Sequence, residues 1–111
     1  MLDLKETRNI YLYTNKVDMR MGIYKIEILL SLTFSPIEIY KSVFIFVSKN
    51  RKLIKIYYEN EYGKWLFINK LAYSKVQMPN FDKITSISKE DLSLLLKGVT
   101  LISTKIKEIA I

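Results

Sequence analysis

A long stretch of two-residue periodicity, from Val43 to Leu71, most limits the folds open to this chain. The segment "VFIFVS" is apolar at every position but its last, which is typical of a central strand covered on both sides. After the basic turn "KNRK", the segment "LIKIYYE" alternates and places Ile54, Ile56 and Tyr58 on one face of a second strand. Alternation of this kind predicts consecutive antiparallel strands.

A hairpin and a third strand continue this pattern. The segment "NEYG" predicts a hairpin loop in which Gly63 adopts a positive φ, and "KWLFINKL" predicts the returning strand. The segment "KVQMP" is compatible with one more short strand that ends at Pro79. We therefore expect an antiparallel meander of three to four strands.

A strand and a helix are predicted before the meander. Residues 10–14, "IYLYT", alternate and are rich in strand-forming residues. One helical face follows, with apolar residues at Met19, Ile23, Ile26 and Leu30. Asp18 is placed to cap the N-terminus of this helix, and Pro36 predicts that it ends by residues 33–35.

A second helix is predicted near the C-terminus. The segment "SKED" resembles a capping box that begins at Ser88, and Gly98 fits a C-terminal stop. The apolar stripe of this helix comprises Leu92, Leu95, Leu96 and Val99. The tail "LISTKIKEIAI" fits a strand and a helix equally well. The predicted order is strand, helix, antiparallel meander and helix, which makes residues 1–111 a single small α+β domain.

The chain contains no cysteine and no histidine, which removes most catalytic chemistry. Disulfides, thiolate zinc sites and imidazole acid–base catalysis are all excluded. A two-metal nuclease needs converging carboxylates, whereas the acidic residues are scattered along the chain. We therefore expect no catalytic residue, no metal site, no cofactor and no small-molecule substrate.

The excess of 18 basic over 11 acidic residues gives a formal charge of +7. An excess of this size on a small domain favours a polyanionic partner, with nucleic acid first and an anionic membrane surface second. A genome rich in A and T would also enrich lysine, isoleucine, asparagine and tyrosine. Composition alone leaves both explanations open.

No segment predicts a membrane span or an export signal. The longest apolar run, "IEILLSLTF", is about half of the roughly 18 residues that a spanning helix needs. The N-terminal segment "MLDLKETRN" is polar and has no apolar core of a signal peptide. We therefore expect a soluble, cytoplasmic protein without a membrane partner.

Four segments in order resemble the small accessory protein, TnpB type or second reading-frame product, of the insertion-sequence sixty-six family. They are "VDMRMG", "VFIFVSKNRKLIKIYYENEYGKWLFINKL", "MP" and "ISKEDLSLLLKGV", with the long segment containing a strand, basic turn and hairpin. The resemblance runs from about residue 10 to residue 99. The motif residues outside the basic positions are Asp18, Met19, Gly22, Gly63, Leu71, Pro79 and Gly98.

The resemblance implies a role rather than a reaction. In elements of this family a larger, separate transposase performs the recombination, and the small protein is an accessory factor. DNA, including the ends of the element, and the transposase or another element-encoded accessory protein are the implied partners. The chain departs from the family pattern at Asn69, Ser74 and Met78.

The opening motif, the basic turn and the two strands that follow it supply the candidate DNA contacts. They are Arg20, Lys49, Arg51, Lys52, Lys55 and Lys70. Arg20 would grip phosphate at a helix N-terminus, with Gly22 allowing close approach of the backbone. Alternatively, Asp18 caps the helix and pairs with Arg20, while Gly22 packs against a strand.

The lysines of the meander also have two interpretations. With Lys55 and Tyr57 on an outer face, the ribbon would offer charge and an aromatic ring to DNA. Alternatively, the turn is merely solvated, and its lysines keep the sheet edge from pairing. Two functions follow: a noncatalytic accessory protein that contacts DNA directly, or an assembly factor that docks on the transposase.

Overall fold

The computed structural model describes residues 8–13, 17–71, 84–96 and 107–108. Within these ranges it contains six strands and three helices. The elements are β1 (Asn9–Tyr13), α1 (Ile23–Ser31), α2 (Pro36–Tyr40), β2 (Ser42–Val47), β3 (Leu53–Asn60), β4 (Gly63–Lys70), β5 (Ile84–Ile87), α3 (Lys89–Leu96) and β6 (Lys107–Glu108).

The strands form one mixed sheet in the order β4-β3-β2-β1-β5-β6. Strands β2, β3 and β4 form the expected antiparallel meander, which confirms both the meander and the α+β class. Strand β1 pairs in parallel with β2 and antiparallel with β5. Neither the parallel pairing nor β5 was predicted from the sequence. The pairing requires a crossover, and α1 and α2 supply it.

Strand β2 is the central strand that its composition predicts. All six of its residues are buried, because helices cover both faces of the sheet. Phe44 and Phe46 lie on the face covered by α1 and α2. Val43, Ile45 and Val47 face the other side, in the cluster that receives Leu92 of α3.

Helix α1 begins later than predicted. Its N-cap is Gly22, which has an extended backbone and no side chain to cap the helix. The prediction that Asp18 caps this helix is therefore wrong. The helix buries Ile26 and Leu30 against the sheet and is capped at its C-terminus by Leu32, which confirms the predicted end before Pro36.

Helix α2 was not predicted from the sequence, because its five residues are too few to show a helical periodicity. A capping box fixes its start: the Ser35 hydroxyl accepts from Glu38 N at 3.3 Å, and Glu38 Oε1 accepts from Ser35 N at 2.9 Å. Pro36 occupies the first helical turn, where its missing N–H costs nothing. The segment "SPIE" contains the serine and the glutamate of this capping box and the proline between them.

The predicted cap at Ser88 is confirmed, although among the described residues the Asp91 carboxylate has no hydrogen-bond partner and does not complete a capping box. Ser88 Oγ accepts from Asp91 N at 3.0 Å at the start of α3. In the tail, Lys107 and Glu108 pair with β5 as a short strand. The predicted strand in "KVQMP", together with Pro79 and Gly98, lies outside the described residues.

The hairpin between β3 and β4 confirms the role expected of Gly63. This glycine has φ +135°, a conformation that L side chains rarely adopt. Pairing then continues without a bulge from Asn60 opposite Gly63 to Leu53 opposite Lys70. Strand β4 is thereby held in one fixed register.

Candidate nucleic-acid interface

The topology gathers several predicted cations at one end of the sheet. Parallel pairing of β1 with β2 brings Tyr13 opposite Phe46, so both strands finish at the same end. The turn at residues 48–52 leaves β2 there, and Lys70 of β4 lies beside it opposite Leu53. We call residues 17–22, 48–53 and 70–71 the basic end of the sheet.

The turn at residues 48–52 is braced by its own side chains. Ser48 Oγ donates to Asn50 Oδ1 at 2.7 Å and accepts from Leu53 N at 3.0 Å. Asn50 Oδ1 also accepts from Lys52 N at 3.1 Å. Ser48 and Asn50 were missed as candidate residues, although serine and asparagine two positions apart are a recognisable turn signal.

Three exposed lysines surround an open depression on this turn. Its lining residues are Ser48, Lys49, Asn50, Lys52, Leu53 and Lys70, and its volume is about 470 Å³. Every charged residue in the lining is therefore basic. Lys49, Lys52 and Lys70, which were singled out separately from the sequence, lie together here. We call this feature the lysine depression.

Arg51 differs from its lysine neighbours. Its φ is +65°, in the left-handed region that non-glycine residues seldom occupy. Its N–H donates to Ser48 O at 2.9 Å, which closes the turn. The side chain is half-buried, and this burial lowers the pKa of its guanidinium from the usual value. Arg51 therefore belongs to the structure of the turn as well as to its charge.

Arg20 pairs with Asp18 in a turn that precedes α1. Arg20 Nε and Nη2 each donate to an Asp18 carboxylate oxygen at 3.0 Å, and Arg20 N donates to Oδ1 at 2.9 Å. Met21 N donates to Asp18 O at 3.0 Å, which closes the turn. The predicted pairing is confirmed. The side chain of Arg20 remains 90% exposed, so its remaining N–H groups face solvent.

The pairing makes the ionisation of Asp18 a test of this turn. The hydrogen bonds from Arg20 lower the pKa of Asp18 from 3.8 to about 2. Because the folded-state pKa is the lower one, the pairing contributes stability above about pH 3.8, and this contribution is lost as the pH falls towards 2. We expect Arg20→Gln to raise the pKa of Asp18 towards 3.8, measured by carboxyl NMR titration. An unchanged pKa would contradict the pairing.

Lys55 is not on an outer face, and that prediction is wrong. Its side chain is 8% exposed, and its Nζ donates to Met21 O at 3.0 Å. Tyr57, on the same face, is fully buried beneath the crossover helices. Lys55 thus fastens the turn that carries Arg20 to strand β3, and we leave it out of the exposed basic surface.

Two of the remaining motif residues, Met19 and Leu71, pack against the core of the domain. Met19 packs at the border of the cluster under α1, and Leu71 packs at the border of the opposite cluster. Leu71 N also donates to Lys52 O at 2.8 Å, which joins β4 to the basic turn. A Cβ atom at Gly22 would meet no atom within 4 Å. The predicted packing of Gly22 against a strand is therefore wrong, whereas the close approach of a phosphate to this glycine stays a prediction.

Within the described residues, no helix has both the length and the apolar character needed to cross a membrane. In the same ranges, no three acidic, cysteine or histidine side chains come close enough together to hold a metal ion.

Comparison with known proteins identifies the family. Residues 8–106 match the family described as IS66 Orf2-like protein, a match that covers most of the 111 residues. No curated protein and no solved structure gives a significant match. The match includes β1, the basic turn, the β3–β4 hairpin and α3. The chain therefore belongs to the IS66 Orf2-like family, which has an accessory role in insertion-sequence transposition.

Proposed function

We propose that this transposition accessory protein contacts DNA directly through the basic end of the sheet and catalyses no reaction itself. The observation that carries the proposal is the lysine depression, in which three lysines from two separate segments surround one open surface. Lysine ammonium groups bind the phosphate backbone as point charges and release counterions.

The rigidity of the turn supports this proposal. The bonds among Ser48, Asn50 and Leu53 hold the backbone from which Lys49 and Lys52 extend. Less conformational entropy is lost on binding when the binding groups stand on an ordered backbone. Phosphate contacts of this kind fix position and orientation, and they carry no direct sequence information. We therefore propose a contact that tolerates different sequences.

Arg20 extends the same surface. Its turn is fastened to β3 through Lys55, which places it at the end of the sheet that carries the lysine depression. Asp18 occupies the Nε and Nη2 edge of the guanidinium. The exposed remainder of the group is available to a phosphate oxygen, and a charge-assisted hydrogen bond of this type is stronger than a neutral one.

A second candidate function rests on a different surface. Tyr24, Ile28 and Leu32 are exposed at four-residue spacing along the outer side of α1. An apolar helical stripe of this kind is suited to packing against another protein. It favours an assembly factor that docks on the transposase or on another element-encoded accessory protein.

The salt dependence of DNA binding tests the first proposal. We expect the affinity to fall with salt along a log–log slope of about −0.9 for each phosphate neutralised. The double variant Lys49→Gln/Lys52→Gln should weaken binding and make the slope shallower by about two. Fluorescence anisotropy with duplexes from the element ends and with unrelated duplexes measures both quantities.

The matched control changes charge at the other end of the sheet. Lys41→Glu also lowers the net charge by two, and Lys41 lies next to the start of β2, away from the lysine depression. We expect this variant to retain most of the affinity. Equal losses in both variants would show that only net charge matters. Absent DNA binding, together with transposase capture that Ile28→Lys abolishes, would favour the second candidate.

A further inference from the structure

We propose that a second copy of this chain pairs antiparallel with the outer edge of β4, with Leu66 facing Leu66 across a two-fold axis. The product would be a dimer with one continuous sheet. This inference stands apart from the proposed DNA contact, because it uses a different surface and a different measurement.

The outer edge of β4 has its backbone groups turned outward at alternate residues. Strand β4 ends the sheet, and among the described strands only β3 pairs with it. Leu71 N donates towards β3, to Lys52 O, so the odd-numbered residues of β4 direct their backbone groups inward. The even-numbered residues therefore direct their N–H and C=O groups to the free edge.

This edge lacks two of the features that protect natural sheet edges, a proline and a bulge, and one of its two lysines, Lys64, is paired with Glu27. The edge strand is eight residues long. Large apolar side chains lie along it: Ile68 is 61% exposed and Trp65 is 41% exposed. Tyr62 is also exposed at the hairpin. A long, regular and apolar edge is a template for a further strand.

The side chains of β4 favour the register centred on Leu66 over the register centred on Phe67. With Leu66 opposite Leu66 of the second copy, Trp65 faces Phe67 and Lys64 faces Ile68. The register shifted by one, centred on Phe67, would instead place Lys64 opposite Lys70, a like-charge contact that the ion pair of Lys64 with Glu27 at 2.7 Å offsets only in part. The proposed register avoids that pair.

Aromatic stacking continues across the proposed interface. Within one chain, Tyr58 stacks on Phe67 at 5.9 Å between ring centroids, and Phe67 stacks on Trp65 at 6.4 Å. Tyr58 lies on β3 and the other two rings lie on β4, so the row reaches the edge strand and then follows it. Facing Trp65 with Phe67 of the second copy would extend the row, and cross-strand aromatic pairs stabilise sheets.

Charge along the edge also fits an antiparallel partner. At one end of β4, Lys70 lies beside Lys52 in the lysine depression. At the other end, Glu61 lies in the hairpin, and the charge of Lys64 beside it is paired with Glu27 at 2.7 Å. Antiparallel pairing would bring Lys70 of the second copy to the hairpin, next to Tyr62 and Glu61. Parallel pairing would instead place Lys70 of one copy beside Lys70 of the other.

The mass in solution is the first test. We expect sedimentation equilibrium of the full chain to give twice 13.1 kDa at high concentration. Ile68→Lys would face Lys64 of the second copy and should give the monomer mass. Ile37→Lys is the matched control, because Ile37 on α2 is 59% exposed, nearly as much as Ile68, and should leave the dimer intact.

Disulfide crosslinking tests the register. The chain has no cysteine, so a single introduced thiol can crosslink only to its copy. Directly opposed residues of a hydrogen-bonded pair have Cα atoms about 5.5 Å apart, within the range of a disulfide. Leu66→Cys should therefore form a covalent dimer under mild oxidation. Ile68→Cys should not, because its copy lies about 13 Å further along the strand.

Two outcomes would overturn the proposal. One is a monomer mass for the unmodified chain up to its solubility limit. The other is crosslinking of Phe67→Cys or Ile68→Cys in preference to Leu66→Cys. Circular dichroism of each variant establishes that it is folded before its mass is interpreted. The result for DNA binding by Lys49→Gln/Lys52→Gln does not affect either outcome.

Discussion

Replacement of Phe44 by alanine is expected to lower the free energy of unfolding by about 3–5 kcal/mol. Phe44 is fully buried in β2, with its ring 5.5 Å from that of Tyr11 and 5.1 Å from that of Phe34. Alanine would leave a cavity where the crossover helices meet the sheet. Because small domains have a stability of only about 5–15 kcal/mol, the loss is a large part of the total.

Chemical denaturation followed by circular dichroism measures this loss. Tyr24→Ala is the control, because it also removes an aromatic ring, but from the exposed side of α1. We expect its effect to stay within about 0.5 kcal/mol. Equal stability of the Phe44 and Tyr24 variants would contradict the packing of α1 and α2 over β2.

The second large effect is expected from Lys55→Glu, at about 3 kcal/mol or more of lost stability. The substitution would place a carboxylate in a site that is 8% exposed and next to the carbonyl oxygen of Met21. That oxygen can only accept a hydrogen bond, so it repels the carboxylate and offers it no donor. A buried charge without a partner is strongly destabilising.

Lys52→Glu is the control for Lys55→Glu, with the same charge change on an exposed side chain of the same turn region. We expect its stability to lie within about 0.5 kcal/mol of the parent chain. Thermal and chemical unfolding separate the two variants. Equal stabilities would contradict the buried position of Lys55. The comparison also shows whether loss of DNA binding in a charge-reversed variant reflects unfolding.

The meander could be predicted from the sequence because its signals are local. Two-residue alternation and the glycine at position 63 specify strands and a hairpin within a few residues of each other. The parallel pairing of β1 with β2 has no such local signal. It depends on how the crossover packs, and the helix α2 within it has only five residues, too few to show a helical periodicity.

The burial of Lys55 could not be predicted from the alternation of its strand. Alternation correctly placed it on the same face of β3 as Tyr57, opposite Ile54 and Ile56. Alternation does not say which faces a distant segment covers, and the crossover helices cover this one. The prediction that Asp18 caps α1 was wrong for a different reason. The carboxylate of Asp18 accepts hydrogen bonds from Arg20, two residues later, and this local pairing occupies the group that was expected to cap the helix.

The place of β1 between β2 and β5 has a consequence for the order of assembly. Thr85 Oγ1 donates to Leu12 O across a separation of 73 residues, whereas the β2–β3–β4 hairpins close within short loops. Contacts between distant residues form slowly, because a long loop must close first. During synthesis, β1 therefore cannot pair with β5 until most of the chain has emerged. The three-stranded meander of β2, β3 and β4 is able to form before that point.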